Sequence, residues 1–318
     1  MAVPVSQGYE ALHEGVALLE LGPRGVIRAT GEDRARLLHA MTTNHIQQLQ
    51  DGQGCYALFL NAQGRILADA NILCLQDSLL LDTEPGARRK VFEHLDRMII
   101  ADDVTLEDLT EQRAVIGLEG PRSGDMLGRI GKLPAAPAAN TWVWCEDRIV
   151  AGISATGAPG FRLIVPLAEK APMIELFLRA GAVISGPQDW LAARLENVRP
   201  LFGIDFSDNV IPHEAQLLHA LHFDKGCYLG QEIVERVRSR GRVHRMLAHL
   251  ELDTDNVPAA GAKIFAGDSE AGEITSAAYS PMFGKVLAFG YVRAEHLATG
   301  IVLTVDGAAA RLSGKKPA

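Results

Sequence analysis

The sequence predicts a mixed chain of strands and helices that closes with a small all-β domain. Two observations carry this: a strand–glycine–helix pattern that occurs twice, and a change of texture after Arg245. Val26-Ile27-Arg28-Ala29-Thr30-Gly31 aligns with Val115-Ile116-Gly117-Leu118-Glu119-Gly120 at an offset of 89 residues (115 − 26). Each run ends in glycine and leads into a stretch of helical period, with Leu37 and Leu38 falling on Met126 and Leu127. Further on, Leu79-Leu80-Leu81-Asp82 before Arg88–Met98 resembles Leu163-Ile164-Val165-Pro166 before Ala171–Arg179, which extends the duplication to a second strand–helix pair. The stretch from Gly131 to Asn140, rich in proline and alanine, marks an exposed connection. Beyond Arg245, short apolar runs such as Leu247–Leu252, Ile274–Ala278 and Val286–Val292 alternate with Pro258, Gly261, Gly267, Pro281 and Gly284, the pattern of short strands joined by turns.

Composition bounds the function. The 318 residues give room for two or three domains, and 47% hydrophobic against 22% charged residues is the balance of a folded globular chain. A formal charge of −8 argues against a general nucleic-acid or anionic-membrane binder, which presents a basic surface to phosphates. Apolar runs such as Ile66–Leu81 are broken by Asp69, Asn71 and Asp77, so a membrane span is not expected. The N-terminus lacks a basic segment followed by an apolar one, so no targeting signal is expected either. Cys55, Cys74, Cys145 and Cys227 are widely spaced, without the pairing of a zinc site, which suits free thiols, a reducing cytoplasm and no bound metal.

The segment Lys225-Gly226-Cys227-Tyr228-Leu229-Gly230-Gln231-Glu232 concentrates the chemistry. Two glycines around a Cys-Tyr pair indicate a sharp turn or a close backbone approach. A thiol beside Lys225 and ahead of a helix would have its thiolate stabilised by positive charge and by the helix N-terminus. Between residues 225 and 245, Lys225 and five arginines stand against Glu232 and Glu235, a net +4 that points to an anionic partner. A lone cysteine is more often an inert small hydrophobe, and a basic run more often a solvated face. Their coincidence in one short segment favours a site.

This eight-residue run and its trailing arginines resemble the signature of YgfZ-type proteins, a branch of the aminomethyltransferase superfamily. The resemblance extends back through Arg194-Leu195-Glu196, Leu201-Phe202-Gly203-Ile204-Asp205 and Pro212-His213-Glu214-Ala215. Weaker matches run from Asn61-Ala62-Gln63-Gly64-Arg65 to Gly272-Glu273-Ile274-Thr275-Ser276, so most of the chain is covered.

The resemblance implies an α+β fold: duplicated ferredoxin-like halves forming a folate-binding region over residues 1–243, and a C-terminal β-barrel over 244–318. Within the first region it implies two interleaved subdomains, 1–48 with 135–243, and 49–134. It further implies tetrahydrofolate or another reduced folate as ligand, iron–sulfur client or assembly proteins as partners, and an essential thiol at Cys227. Glu196 would accept the paired N–H donors of the pterin as a bidentate carboxylate. Lys225, Arg194, Tyr228, Gln231, Arg236 and Arg242 would complete the ligand side, with the arginines toward the anionic glutamate tail. The transferase relatives carry an acidic pair after the N-x-x-G turn, where this chain has Ala68 and Asp69. Only Asp69 is left to serve as a base, so one-carbon transfer is the alternative to an accessory role, together with a non-catalytic folate-sensing scaffold.

Overall fold

Strand pairing follows the duplicated pattern. The computed structural model describes residues 5–130, 136–241, 243–298 and 301–317; residues 131–135 of the expected connection and Arg242 lie outside these. The helices described are α1 (Gln7–Glu14), α2 (Arg34–Met41), α3 (Arg88–Asp96), α4 (Ser123–Arg129), α5 (Lys170–Arg179), α6 (Pro187–Glu196) and α7 (Gln231–Arg240). Gly25–Thr30 pairs antiparallel with Leu79–Thr83, and Arg113–Glu119 pairs antiparallel with Gly160–Pro166. Helices α2 and α4 follow the first strand of each pair, and α3 and α5 follow the second. The shared glycine has a steric reason. Gly31 and Gly120 have φ of 100° and 115°, and an added Cβ would lie 2.0 Å from the Asp103 carbonyl oxygen or 2.6 Å from that of Gly15.

The two pairs belong to different sheets. A five-stranded sheet runs in the order Gly54–Leu60, Ile66–Cys74, Leu79–Thr83, Gly25–Thr30, Thr105–Asp108. A six-stranded sheet runs Val183–Ser185, Ala17–Glu20, Arg113–Glu119, Gly160–Pro166, Arg148–Ala151, Trp142–Cys145. The expected subdomain division is corrected here. That division groups Gly25–Thr30 with 135–243 and Arg113–Glu119 with 49–134, but their hydrogen bonds place each in the opposite sheet. The repeat itself is the physical reason: one copy of the strand–glycine–helix unit sits in each sheet.

Helices cover the outer face of each sheet. Leu38 of α2 and Val91 and Leu95 of α3 pack on Ile27, Phe59, Ala68 and Leu81, while Leu127 of α4 and Met173 and Phe177 of α5 pack on Leu118 and Leu163. The inner faces meet in part, with Val26, Leu73 and Leu80 against Trp142, Ile149 and Ile164. The last part of the chain, from Arg245 to Leu312, closes as a six-stranded barrel around Leu250, Ile264, Val286 and Leu303. The chain thus has the α+β class with a C-terminal barrel. Among the described residues no helix is long and apolar enough to cross a membrane.

Two buried ionic clasps hold α6 and the segment after it. Arg194 pairs with Asp205 at 2.5 Å, and the same carboxylate accepts from the Leu201 N–H and from the hydroxyls of Thr275 and Ser276 in the barrel. Glu196 accepts from Tyr9 Oη (2.5 Å), from Ser280 Oγ (2.5 Å) and from His13 Nε2 (2.7 Å), joining α1, α6 and the barrel. Removing one partner of a buried pair leaves the other charge uncompensated. Asp205→Ala is therefore expected to lower unfolding free energy by about 3–5 kcal/mol, read from urea unfolding; a loss below about 1 kcal/mol would show that the clasp is not structural.

Candidate functional site

Where the inner faces part, they enclose a cavity of about 670 Å³, with Asn44, Cys55, Tyr56 and Asn71 on one wall and residues between Gly152 and Phe161 on the other. Arg199 and His219 close it from the segment after α6. An annex of about 200 Å³ shares Tyr56, Asn71, Ser154 and Arg199 with it, and adds Asp69, Glu84, Arg24 and Arg162.

Strand register explains which side chains arrive there. Tyr56 lies opposite Asn71, and Leu58 opposite Asp69, in the antiparallel pair Gly54–Leu60 and Ile66–Cys74. Residues two apart on one strand, and residues directly opposite across a ladder, share a face. Tyr56, Asp69 and Asn71 therefore all project inward, and Tyr56 Oη donates diagonally to Asp69 Oδ2 at 2.8 Å. Ala68 pairs with Phe59 and projects outward into the core beneath α2 and α3. An acid at 68 would point into that core, away from the cavity. Asp69 is the member of the pair that faces the cavity.

The annex is strongly polar for a buried site. Asp82 lies between Arg24 and Arg162, bonded to both, and Arg24 also reaches Glu84 at 2.5 Å. Burial works against the Asp82 carboxylate, but Arg162 and Arg24 override it and hold its pKa below the ordinary value. Asp69 goes the other way: burial, then the neighbouring charge of Glu84, raise it to about 6. Among the described residues, Asp69 Oδ1 and Arg162 Nε are buried and have no hydrogen-bond partner. Tyr56 is sandwiched, with the His219 ring stacked at 5.6 Å and the Arg199 guanidinium 5.6 Å from its centroid. Burial, then Arg199, lower His219 to about 4, so the ring facing the cavity is neutral near pH 7.

The residues expected at the site are dispersed. Asp69 lines the annex. Glu196 and Arg194 do not line either chamber: Glu196 accepts from Tyr9, Ser280 and His13, and Arg194 binds Asp205 through Nη1, while its Nε and Nη2 are buried without a hydrogen-bond partner. Lys225 is also buried, and its ammonium donates to the carbonyls of His39 and Thr42 at the C-terminal end of α2, a position that suits a cation. Burial lowers its pKa to about 8. Tyr228 is buried with the Lys225 ammonium 4.7 Å from its ring, and Gln231 Oε1 accepts from the Tyr228 N–H. These contacts fix the loop and none of the three residues lines the cavity. Cys227 is exposed on that loop between Gly226 and Gly230, whose φ values of 82° and 85° confirm the expected turn. Arg236 is exposed on α7, and Arg242 lies outside the described residues.

Sequence reading missed Tyr56, Arg162 and Arg199. Arg24 and Asp82 are 58 residues apart, and Asp82 and Arg162 are 80 apart, so no local pattern joins them. Among the described residues no cluster of three or more His, Cys, Asp or Glu could hold a metal ion.

Comparison with known proteins matches residues 1–225 to the GCVT N-terminal domain and residues 245–315 to the glycine cleavage T-protein C-terminal barrel domain. A chloroplastic protein of Arabidopsis thaliana, provisionally named a transferase, is 27% identical over 305 residues, covering 94% of this chain and 70% of its own. The aminomethyltransferase of Rubrobacter xylanophilus is 28% identical over 298 residues, 91% of this chain and 80% of its own. Among solved structures, the glycine cleavage system aminomethyltransferase T of Bartonella henselae superposes with a TM-score of 0.90 at 21% identity, covering 96% of this chain and 87% of that one, which establishes the shared fold.

The Glu196 clasp has a pH signature. Its hydrogen bond with Glu196 raises the His13 pKa above 6.5, against the opposing effect of burial. A histidine raised in the folded state contributes stability that is full below its unfolded pKa and is lost as pH rises through the folded value. Between pH 6 and 8 the parent chain should therefore lose more thermal stability than His13→Gln; parallel melting curves for the two would exclude a charged His13–Glu196 pair.

Proposed function

The chain belongs to the glycine-cleavage T-protein family, and from that premise we propose that it binds a reduced folate, tetrahydrofolate, in the chamber between its sheets. The pair of unpartnered buried atoms in the annex carries this reading. The edge of a pterin presents a carbonyl acceptor beside a ring N–H and an exocyclic amine. Arg162 Nε supplies a donor for the first, and Asp69 Oδ1 an acceptor for the others. A group buried without a partner costs about 1–3 kcal/mol, which a ligand of matching polarity recovers. The main chamber, about 670 Å³, lies within the range of small-molecule sites, about 300–1,000 Å³, and the annex adds about 200 Å³. Beyond His219, a further cavity of about 420 Å³ has Arg238 and Lys316 on its wall, the cationic side toward which a glutamate tail would run.

Within the family we assign the chain to the YgfZ-type branch, as an accessory protein for iron–sulfur assembly or repair. The exposure of Cys227 supports this assignment. A thiol on the surface, outside the folate chamber, is placed to meet a protein client rather than the folate carbon. The inward placement of Asp69 favours a second reading, folate-dependent one-carbon transfer. A carboxylate with a pKa of about 6 can accept a proton from an attacking amine near neutral pH. Turnover of aminomethyl or methyl donors with tetrahydrofolate separates the two readings.

Calorimetry with tetrahydrofolate tests the ligand. Asp69→Asn should weaken binding by about 10- to 100-fold, the loss of a charge-assisted hydrogen bond. The parent's affinity should fall about fourfold from pH 7.5 to 5.5 as Asp69 takes up its proton, and the Asn variant should lack that dependence. Absence of measurable binding would end the folate reading, and an unchanged Asn variant would remove Asp69 from it. For the thiol, Cys227→Ser should keep folate affinity and lose support of iron–sulfur enzymes in complementation; full complementation would remove the thiol from the function.

A further inference from the structure

The cavity wall opposite Tyr56 is irregular chain. From Ile153 to Pro159 the backbone forms neither helix nor strand, yet it lines both chambers, Ser154 and Ala155 in the annex and Gly157 to Pro159 in the main one. A segment without regular pairing must satisfy its N–H groups in another way.

One buried carboxylate does this. Glu119, the last residue of the strand Arg113–Glu119, has no solvent exposure. Its Oε1 accepts the Ala155 N–H at 2.5 Å; its Oε2 accepts the Thr156 N–H at 3.2 Å, the Ser154 hydroxyl at 3.1 Å and the Thr156 hydroxyl. Those hydroxyls pass the contact on, Ser154 Oγ accepting the Gly157 N–H at 2.8 Å and Thr156 Oγ1 the Ala158 N–H at 3.3 Å. Four successive N–H groups, from Ala155 to Ala158, thus end on Glu119 directly or through one hydroxyl. Gly160, its partner across the ladder, leaves room for this side chain, because a Cβ there would lie 2.6 Å from Glu119 Cγ.

We propose that Glu119 is the positioning residue of the ligand chamber: its carboxylate sets the wall from Ser154 to Ala158 in the conformation against which the ligand lies. This rests on the folate reading only for the identity of the ligand. The carboxylate is specifically required, since one backbone N–H falls on each oxygen. A glutamine would satisfy one and oppose the other with its amide hydrogens. Without the clamp, a ligand must order the wall as it binds, and affinity falls by the fraction of molecules in which the wall is already formed.

Glu119→Ala and Glu119→Gln test this by amide hydrogen exchange in the ligand-free chain, with tetrahydrofolate affinity by calorimetry alongside. In the Ala variant the amides of residues 155–158 should exchange about 100-fold faster, while those of the barrel strands Arg245–Leu252 and Lys285–Arg293 keep their rates. Tetrahydrofolate should bind about tenfold or more weakly, with the Gln variant between Ala and parent. Unchanged exchange at 155–158, or faster exchange with affinity within twofold of the parent, would overturn the proposal. Should the Ala variant fail to fold, a Gln variant with the parent's exchange and affinity would overturn it equally. A parent chain that binds no folate would sink the ligand assignment alone, and exchange at 155–158 would then decide the role of Glu119.

Discussion

Asp82 is the point on which the two halves of the molecule depend. It lies on an inner strand of the five-stranded sheet and binds Arg24, from the turn before Gly25–Thr30, together with Arg162, from the facing sheet. All three are buried, and three charges inside a protein are tolerated only because each has an opposite charge against it. Such a group is weak evidence for stability, since apolar residues of equal volume would fill the space as well. Its consequence here is electrostatic. Glu84 raises the Asp69 pKa while Arg24 and Arg162 pull it down, so the protonation of the cavity acid follows from how this cluster is balanced. The clasp that joins the sheets and the acid that faces the cavity are one electrostatic system.

The cavity itself follows from layering. With α2, α3, α4 and α5 on the outer faces, the inner faces must either pack together or enclose space. Around Leu80 and Ile164 they pack; around Tyr56 and Arg199 polar side chains replace aliphatic ones and the faces separate. The segment after α6 then closes the opening, held by Asp205 to both α6 and the barrel. The barrel thus shapes the site from outside it, by fixing the segment that carries Arg199.

What the sequence made legible divides along the same lines. Local signals sufficed for the duplicated strand–glycine–helix unit and the β tail, because each depends on periodicity and turn residues within a short window. The allocation of Gly25–Thr30 and Arg113–Glu119 to their sheets depends on hydrogen bonds to strands roughly 50 residues away, which no window contains. For Arg194, Glu196 and Lys225 an ionic motif is equally compatible with a ligand contact and with a structural clasp, and no local pattern chooses between them. Two-residue periodicity did contain the answer at 68 and 69, since adjacent strand residues face opposite sides and only one of them could reach the cavity.

The eight-residue signature gains a physical account from these positions. Lys225 reaches α2 from the far side of the molecule's sequence and binds its last carbonyls; Tyr228 covers that ammonium, and Gln231 ties the turn back to the Tyr228 N–H. Lys225 and Tyr228 are buried on either side of Cys227, which is left exposed between them. The lysine thereby anchors the loop that carries the thiol, and Arg236 and Arg238 of α7 are exposed. The chain thereby presents two separate features, a chamber lined by polar side chains and an exposed loop that carries a thiol. The segment from Glu196 to Cys227, running from the first clasp past Arg199 and His219 to the loop, is the covalent path between them.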